Sequence, residues 1–325
     1  MQADLFSAAP MVDVTTSLFR RMARVMTKKA MLYTEMIAAD AIVHGKEHLI
    51  DYKEVELPLT LQLGGNDPHK LAFAAKVAER RGYSAVNLNA GCPSDKVQQG
   101  AFGAILMKDI KLLTELYSAM QDAVSIPVTV KTRIGVDDLD SFEFTFELVN
   151  ALYQAGCRHL ILHARKAWLN GLSPKENRTI PPIDYPRVYA IKSMFPDLFI
   201  TINGEIKTIA DCKEQLAHVD GVMLGRALID NPYLLAAVDC EIFGSRSKIK
   251  GREEVFAQMC DLADTIVAEG HALHHFAMHL LGFFAGIPGA RAYRRYLSGN
   301  MTAPGANGDT LREAFKFIDK ERLNA

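Results

Sequence analysis

The segment Asn87-Leu88-Asn89-Ala90-Gly91-Cys92-Pro93-Ser94 sets a cysteine just after an apolar run and just before a proline. Proline disfavours a helical conformation in the residue before it, so the Cys92 thiol is held out on a stiff loop. A free thiol has a pKa near ~8.5, so at neutral pH it is mostly protonated and can donate a proton. Other apolar runs end on polar or ionisable side chains. Gln62 sits inside Leu61-Gln62-Leu63, Asn89 ends the run 86–89, Lys131 ends 128–131, His163 ends 160–163 and Asn203 ends 199–203. Burying a lysine or histidine without a partner is costly, so these ends point to one shared polar site. Asn203-Gly204-Glu205 and Gly225-Arg226 add small residues that let backbone N–H groups approach a phosphate, and Arg226 opens a helix whose N-terminus favours an anion.

The elements that must carry these residues alternate. Strands are predicted at Leu32–Met36, Leu59–Leu63, Ala85–Asn89, Val128–Lys131, Leu160–His163, Phe199–Asn203 and Gly221–Leu224, with an eighth near Phe6–Met11. Helical patterns lie between them, including Pro68–Arg81, Phe142–Tyr153 and Thr208–Leu216. Eight such units in roughly 240 residues fit a (β/α)8 TIM barrel, whose strand ends converge at one mouth and whose last two loops commonly bind phosphate. A doubly wound open sheet is the alternative, but no G-x-G-x-x-G follows the first strand. The pattern changes near Phe243: a polar, basic stretch, Gly244–Arg252, precedes helical patterns at Glu253–Glu269, His271–Ala285 and Asp309–Arg322. The expected organisation is a catalytic barrel over residues 1–243 and a helical C-terminal domain over 244–325.

The chain has 325 residues, 49% of them hydrophobic, and a net charge of −1. It can bury a large core, and any nucleic-acid site must be a local basic patch. Five scattered cysteines without a C-x-x-C pair suggest free thiols in a reducing compartment, and no signal pattern or membrane-length apolar run is evident. A cytoplasmic location follows as the expectation. Cys157, Cys212, Cys240 and Cys260 fall in helical or strand-start contexts and read as packing residues. His271, His274, His275 and His279 crowd one predicted helix at spacings that could ligate a metal, but no acid or cysteine completes a site, so no metal is expected. Residues 163–192 hold six cations (Arg165, Lys166, Lys175, Arg178, Arg187, Lys192) against Glu176 and Asp184, and Arg291, Arg294 and Arg295 form a second cluster interleaved with Tyr293 and Tyr296.

Ala9-Pro10-Met11, Gln62–Gly65, Asn87–Ser94, Lys131-Thr132-Arg133, His163-Ala164-Arg165, Asn203-Gly204 and Gly225-Arg226 resemble, in order and spacing, the tRNA-dihydrouridine synthases. The stretches His163–Arg178 and Gly286–Arg291 resemble one subfamily, which modifies neighbouring uridines of the D-loop. The resemblance implies FMN as cofactor and NADPH as reductant, with NADH as an alternative. It places Pro10, Met11 and Val12 along the flavin, Gln62 at its edge, and Lys131 and His163 against the ring and ribityl chain. Asn203, Gly204, Glu205, Gly225 and Arg226 are placed around the phosphate. It implies hydride transfer from FMN N5 to uracil C6 and protonation of C5 by Cys92. It assigns Asn89, Lys175, Arg178, Arg291 and Arg294 to tRNA, whose target base must be extruded to react. No protein partner or membrane is implied. Val14 and Thr16 depart from the family's usual first loop, and Ala90 stands where valine is common. An FMN-dependent reductase of free pyrimidines and a non-catalytic RNA-binding barrel are the competing readings; the basic clusters oppose the first and Cys92 the second.

Overall fold

The computed structural model describes residues 2–323, so the end residues of both expected domains, Met1, Asn324 and Ala325, lie outside the described residues. Eight parallel strands form the sheet: β1 (Phe6–Ala8), β2 (Leu32–Ala38), β3 (Leu59–Gly64), β4 (Ala85–Ala90), β5 (Val128–Arg133), β6 (His159–His163), β7 (Phe199–Asn203) and β8 (Gly221–Leu224). From β2 to β8 each strand pairs with the next, and β8 pairs back onto β1. The last seam is closed by Met31, which donates from N–H to the Phe6 carbonyl and accepts from the Ala8 N–H, both at 3.0 Å. This is the expected (β/α)8 barrel, and the open doubly wound sheet is excluded.

The period of two along a strand explains how one sequence builds both core and site. Leu59, Leu61 and Leu63, Val86 and Leu88, Val128 and Val130, Leu160 and Leu162, and Ile200 and Ile202 join the main core shared with the helices. The alternate positions carry Gln62, Asn87, Asn89, Thr129, Lys131, His159, His163, Thr201 and Asn203, which hydrogen-bond across the barrel interior or line its mouth. Among the described residues, a small apolar cluster of Ala9, Met31, Tyr33, Ile161 and Met223 stands apart from that main core, on the interior side.

The surrounding helices begin where local chemistry starts them. Asp67 accepts from the His69 and Lys70 amides to cap Pro68–Arg80, Ser141 caps Phe142–Gln154, and Thr208 and Asp211 form a reciprocal capping box on Ile209–Leu216. The helix Ser17–Met26 is unusual in burying three arginines. Arg20 pairs with the fully buried Glu56 at 2.6 Å and donates to the Thr15 carbonyl, and Arg24 donates to the carbonyls of Glu56 and Pro58.

The C-terminal region is helical, with two corrections. The continuous helix expected over His271–Ala285 is instead a single turn, His274–Ala277, a 3-10 turn, Met278–Leu280, and tight turns. Gly282 packs so closely on the Ile229 and Asp230 carbonyls that a Cβ there would lie 2.4 Å from one of them. The histidines therefore do not share one helix: His279 turns inward against Phe19, while the His274 and His275 rings lie 4.0 Å apart. The last helix, expected over Asp309–Arg322, ends at Phe315, because the chain turns to donate the Asp319 amide to the Pro288 carbonyl. Arg252–Ala268, Ala290–Asn300 and Gly308–Phe315 pack around Phe256, Phe284, Tyr293 and Phe315, whose rings meet at 4.9–5.9 Å. Arg21 on the first helix reaches across to Glu269 at 2.7 Å, and the apolar core runs unbroken from barrel to C-terminal helices.

Candidate active site

The C-terminal strand ends bring Cys92, Lys131, His163 and Asn203 to one mouth. Lys131 Nζ donates to Asn203 Oδ1 at 3.1 Å, and Asn203 Nδ2 donates to the Met223 carbonyl, so the ends of β5, β7 and β8 together hold the ammonium in place. Burial, and then the neighbouring Arg133, push the Lys131 ammonium down to about 7, against the opposing pull of Cys92. The His163 imidazole is held well below its ordinary range, first by burial and then by Arg133, Lys131, Arg165 and Arg226, so it is neutral. Among the described residues its ring nitrogens have no hydrogen-bond partner.

The loops after β7 and β8 form a cradle. Gly204 has φ +124°, and a Cβ there would lie 2.8 Å from Ile183 and 2.9 Å from the His163 ring, so only glycine fits. Glu205 is also left-handed, with φ +53°. Its carboxylate pairs with Arg165 at 2.6 Å, leaving its amide, and not its side chain, to meet an anion. Among the described residues no acceptor is hydrogen-bonded to the amides of Gly204, Glu205, Gly225 or Arg226, and the buried Arg165 Nε lacks a partner. The helix after Gly225-Arg226 is a single turn, Ala227–Asp230, so the attraction for an anion comes from these amides and from Arg165 and Arg226 more than from a helix dipole. Met11 reaches this cradle: a Cβ on Gly225 would lie 3.5 Å from its sulfur. Thr15 Oγ1 bonds both backbone polar groups of Met11, which fixes the Pro10–Val12 turn. Val14, one of the departures in this turn, packs against the core.

An amide network sets the floor. Gln62 Nε2 donates to Asn87 Oδ1 at 2.8 Å and Gln62 Oε1 accepts from Asn89 Nδ2 at 2.9 Å. Asn89 Oδ1 in turn accepts from the amides of Gly91 and Cys92. Gln62 and Asn89 are thus both nearly buried, at 1% and 8% exposure, and both shape the Cys92 loop as well as facing the mouth. The Cys92 thiol stays partly exposed, with Ser94 Oγ at 3.5 Å.

The basic clusters sort themselves by pairing. Arg165, Lys166, Arg187 and Lys192 are consumed by Glu205, Asp140, Asp184 and Asp220. Lys175 and Arg178 are exposed, and among the described residues neither has an ion-pair partner; the same holds for Arg291, Arg294 and Arg295 on the helix Ala290–Asn300. Tyr293 does not stand among those arginines: it is buried in the aromatic core, where its hydroxyl donates to the Leu280 carbonyl. Two residues escaped sequence reasoning. Arg133 donates from Nε to the Gly91 carbonyl and from Nη1 to the carbonyls of Lys166 and Asn177. Gln98 donates from Nε2 to the carbonyls of Pro93 and Leu169. Arg133 stands two residues beyond Lys131 on the same strand face, a spacing that could have flagged it; nothing in the sequence marks Gln98.

The mouth thus has an excess of positive charge, unpaired backbone donors and a space that only Gly204 leaves open, which suits a phosphorylated, electron-accepting ring cofactor. The comparisons agree. A family model described as dihydrouridine synthase (Dus) matches residues 7–319. The chain is 49% identical over 316 residues to the tRNA-dihydrouridine(20/20a) synthase of Vibrio parahaemolyticus, covering 97% of each chain. It is 51% identical over 318 residues to the proteins of the same name from Salmonella typhi and Escherichia coli K12, covering 98% of this chain and 96% and 92% of theirs. The chain belongs to the dihydrouridine synthase family of flavin-dependent oxidoreductases.

Proposed function

We propose that this protein reduces the C5=C6 bond of uracil at D-loop positions 20 and 20a of tRNA, the positions in its relatives' names, using FMN and taking electrons from NADPH. The observation that carries this reading is the meeting of the Cys92 thiol with a positively charged, donor-rich mouth on one barrel rim. When bound, the flavin supplies the hydride for uracil C6.

The chain's own residues do the rest. Gly204, Glu205, Gly225 and Arg226 hold the phosphate, the first three by backbone amides, and Asn203 orients Lys131. Pro10, Met11 and Val12 lie along the ring. Gln62, whose amide keeps one hydrogen free, meets its edge. Lys131 and the neutral His163 face the ring system, Lys131 offsetting negative charge there. Cys92 delivers its proton to C5. Asn89 meets the base from the floor. Residues 1–243 form the catalytic unit, and 244–325 serve tRNA binding with the loop after β6, through Lys175, Arg178, Arg291 and Arg294. No helix among the described residues is long and apolar enough to cross a membrane; free thiols and a tRNA substrate support a cytoplasmic site of action.

The test is direct. The purified protein is expected to be yellow, to bleach with NADPH, and to form dihydrouridine in a tRNA transcript far faster than in free uridine. Comparable turnover on free uridine sinks the tRNA reading. Arg178→Ala and Arg294→Ala are each expected to weaken tRNA binding and to lower the slope of log K against log salt by about 1, with the flavin spectrum unchanged. An unchanged slope removes that residue from the interface.

Lys131 adds a pH signature. Its folded pKa, about 7, lies below the unfolded value of 10.5, so the fold without flavin binds fewer protons between these values and gains stability as pH rises across them. A bound anion favours the ammonium and reverses the shift. FMN binding at pH 8 is therefore expected to take up a proton, visible as a calorimetric heat that changes with the buffer's ionisation enthalpy. A heat independent of buffer contradicts this placement of Lys131.

A further inference from the structure

We propose that Gln98 and Arg133 are positioning residues that make the geometry of the Cys92 loop depend on the loop after β6. The inference rests on the reading of Cys92 as the acid and of Lys175 and Arg178 as tRNA contacts. The carbonyls on either side of Cys92 are each held by a side chain that also grips that second loop. Arg133 bonds Gly91 on one hand and Lys166 and Asn177 on the other, at 2.9–3.0 Å. Gln98 Nε2 divides its two hydrogens between Pro93, at 2.9 Å, and Leu169, at 2.7 Å.

Planar peptides turn these contacts into control of the thiol. Fixing the Gly91 carbonyl fixes the peptide plane entering Cys92. Fixing the Pro93 carbonyl, with proline's own φ locked by its ring, restrains the plane leaving it. Beside the bonds of the Cys92 amide to Asn89 and of its carbonyl to Ala104, these two restraints on the direction of the Cys92 Cα–Cβ bond run through the second loop. That loop is braced from within. Asn177, fully buried, accepts from the Trp168 amide at 2.7 Å and donates to the carbonyls of Trp168 and Leu172, closing the turn that carries Lys175, with Arg178 next in the chain. Neither Gln98 nor Arg133 can release one loop without leaving a carbonyl unpaired, a cost for partly buried groups. Phosphates that seat Lys175 and Arg178 therefore also stabilise the arrangement in which the thiol is in place.

Gln98 is the residue to test, because it lies outside the proposed flavin and tRNA contacts. In the FMN-loaded protein, Gln98→Leu is expected to leave NADPH bleaching of the flavin and KM for a tRNA transcript unchanged and to lower kcat roughly 10-fold or more, since small misplacements of a reacting group have effects of this size. Alkylation of Cys92 by iodoacetamide, followed on its peptide by mass, is expected to speed up in the loosened loop. Gln98→Lys, which keeps a donor able to reach both carbonyls, is expected to recover most of kcat. Wild-type kcat in Gln98→Leu overturns the proposal, as does a kcat loss accompanied by raised KM and slowed bleaching, which marks general loosening. Full tRNA activity in Cys92→Ala is the separate result that removes the acid reading beneath it.

Discussion

Replacing Cys92 with alanine is expected to lower dihydrouridine formation in tRNA by roughly 10²–10⁴-fold, the range that general acid catalysis contributes, while NADPH still bleaches the bound flavin at a near-normal rate. The substitution is clean because the loop is not held by the thiol. Its amide donates to Asn89 Oδ1 and its carbonyl accepts from the Ala104 amide, and both bonds survive truncation of the side chain. The sulfur's own contact is a long one to Ser94 Oγ. The two half-reactions are measured separately: flavin absorbance under NADPH in the absence of oxygen, then dihydrouridine yield after tRNA is added to the reduced enzyme. Full yield on the normal timescale refutes the acid role. Slow bleaching instead shows that the variant has disturbed the flavin site, and Cys92→Ser, closer in shape, then becomes the decisive comparison.

Glu56→Ala is expected to cost about 3–5 kcal/mol of stability, because removing one member of a buried pair leaves the other charge uncompensated. Glu56 has no exposed side-chain surface, and its carboxylate binds Arg20 Nε at 2.6 Å, the Ser17 hydroxyl and the Lys53 amide. Arg20 has one other acceptor, the carbonyl of Thr15, and Thr15 fixes Met11 at the cradle. The loss therefore reaches the mouth through the first helix. A lower melting temperature should come with weaker FMN retention, and Glu56→Gln, which keeps shape and one acceptor, should lose less of both. A destabilisation below about 1 kcal/mol, the scale of an exposed pair, shows that Arg20 is satisfied without Glu56.

The barrel was readable because its two faces are written at a period of two. Leu160 and Leu162 mark the outer face of β6, and His159 and His163 the inner one; similar alternation holds for β3, β4, β5 and β7. All eight predicted strands overlap observed ones. The C-terminal region was less readable because tertiary contacts override its local pattern. The helix Ala290–Asn300 buries only Ala290, Tyr293 and Leu297, a narrow stripe masked by three arginines, and it starts from Gly289 in a left-handed conformation, where a Cβ would strike the Phe317 carbonyl. At the mouth, the strand-end side chains were visible as polar residues closing apolar runs. Gln98 and Arg133 were not, because each reaches a backbone carbonyl of a loop distant in sequence, and a carbonyl has no letter in the sequence. Pairing was equally hidden: six cations between residues 163 and 192 look alike until four of them are seen beside carboxylates.

The unbroken core between the barrel and the C-terminal helices has a last consequence. Arg291 and Arg294 ride on a helix anchored in the aromatic cluster, and Lys175 and Arg178 on a loop braced from inside by Asn177. Each pair of proposed tRNA contacts thus rests on a packed support and not on a loose tail, so on the proposed reading little ordering entropy is lost when a folded RNA is gripped.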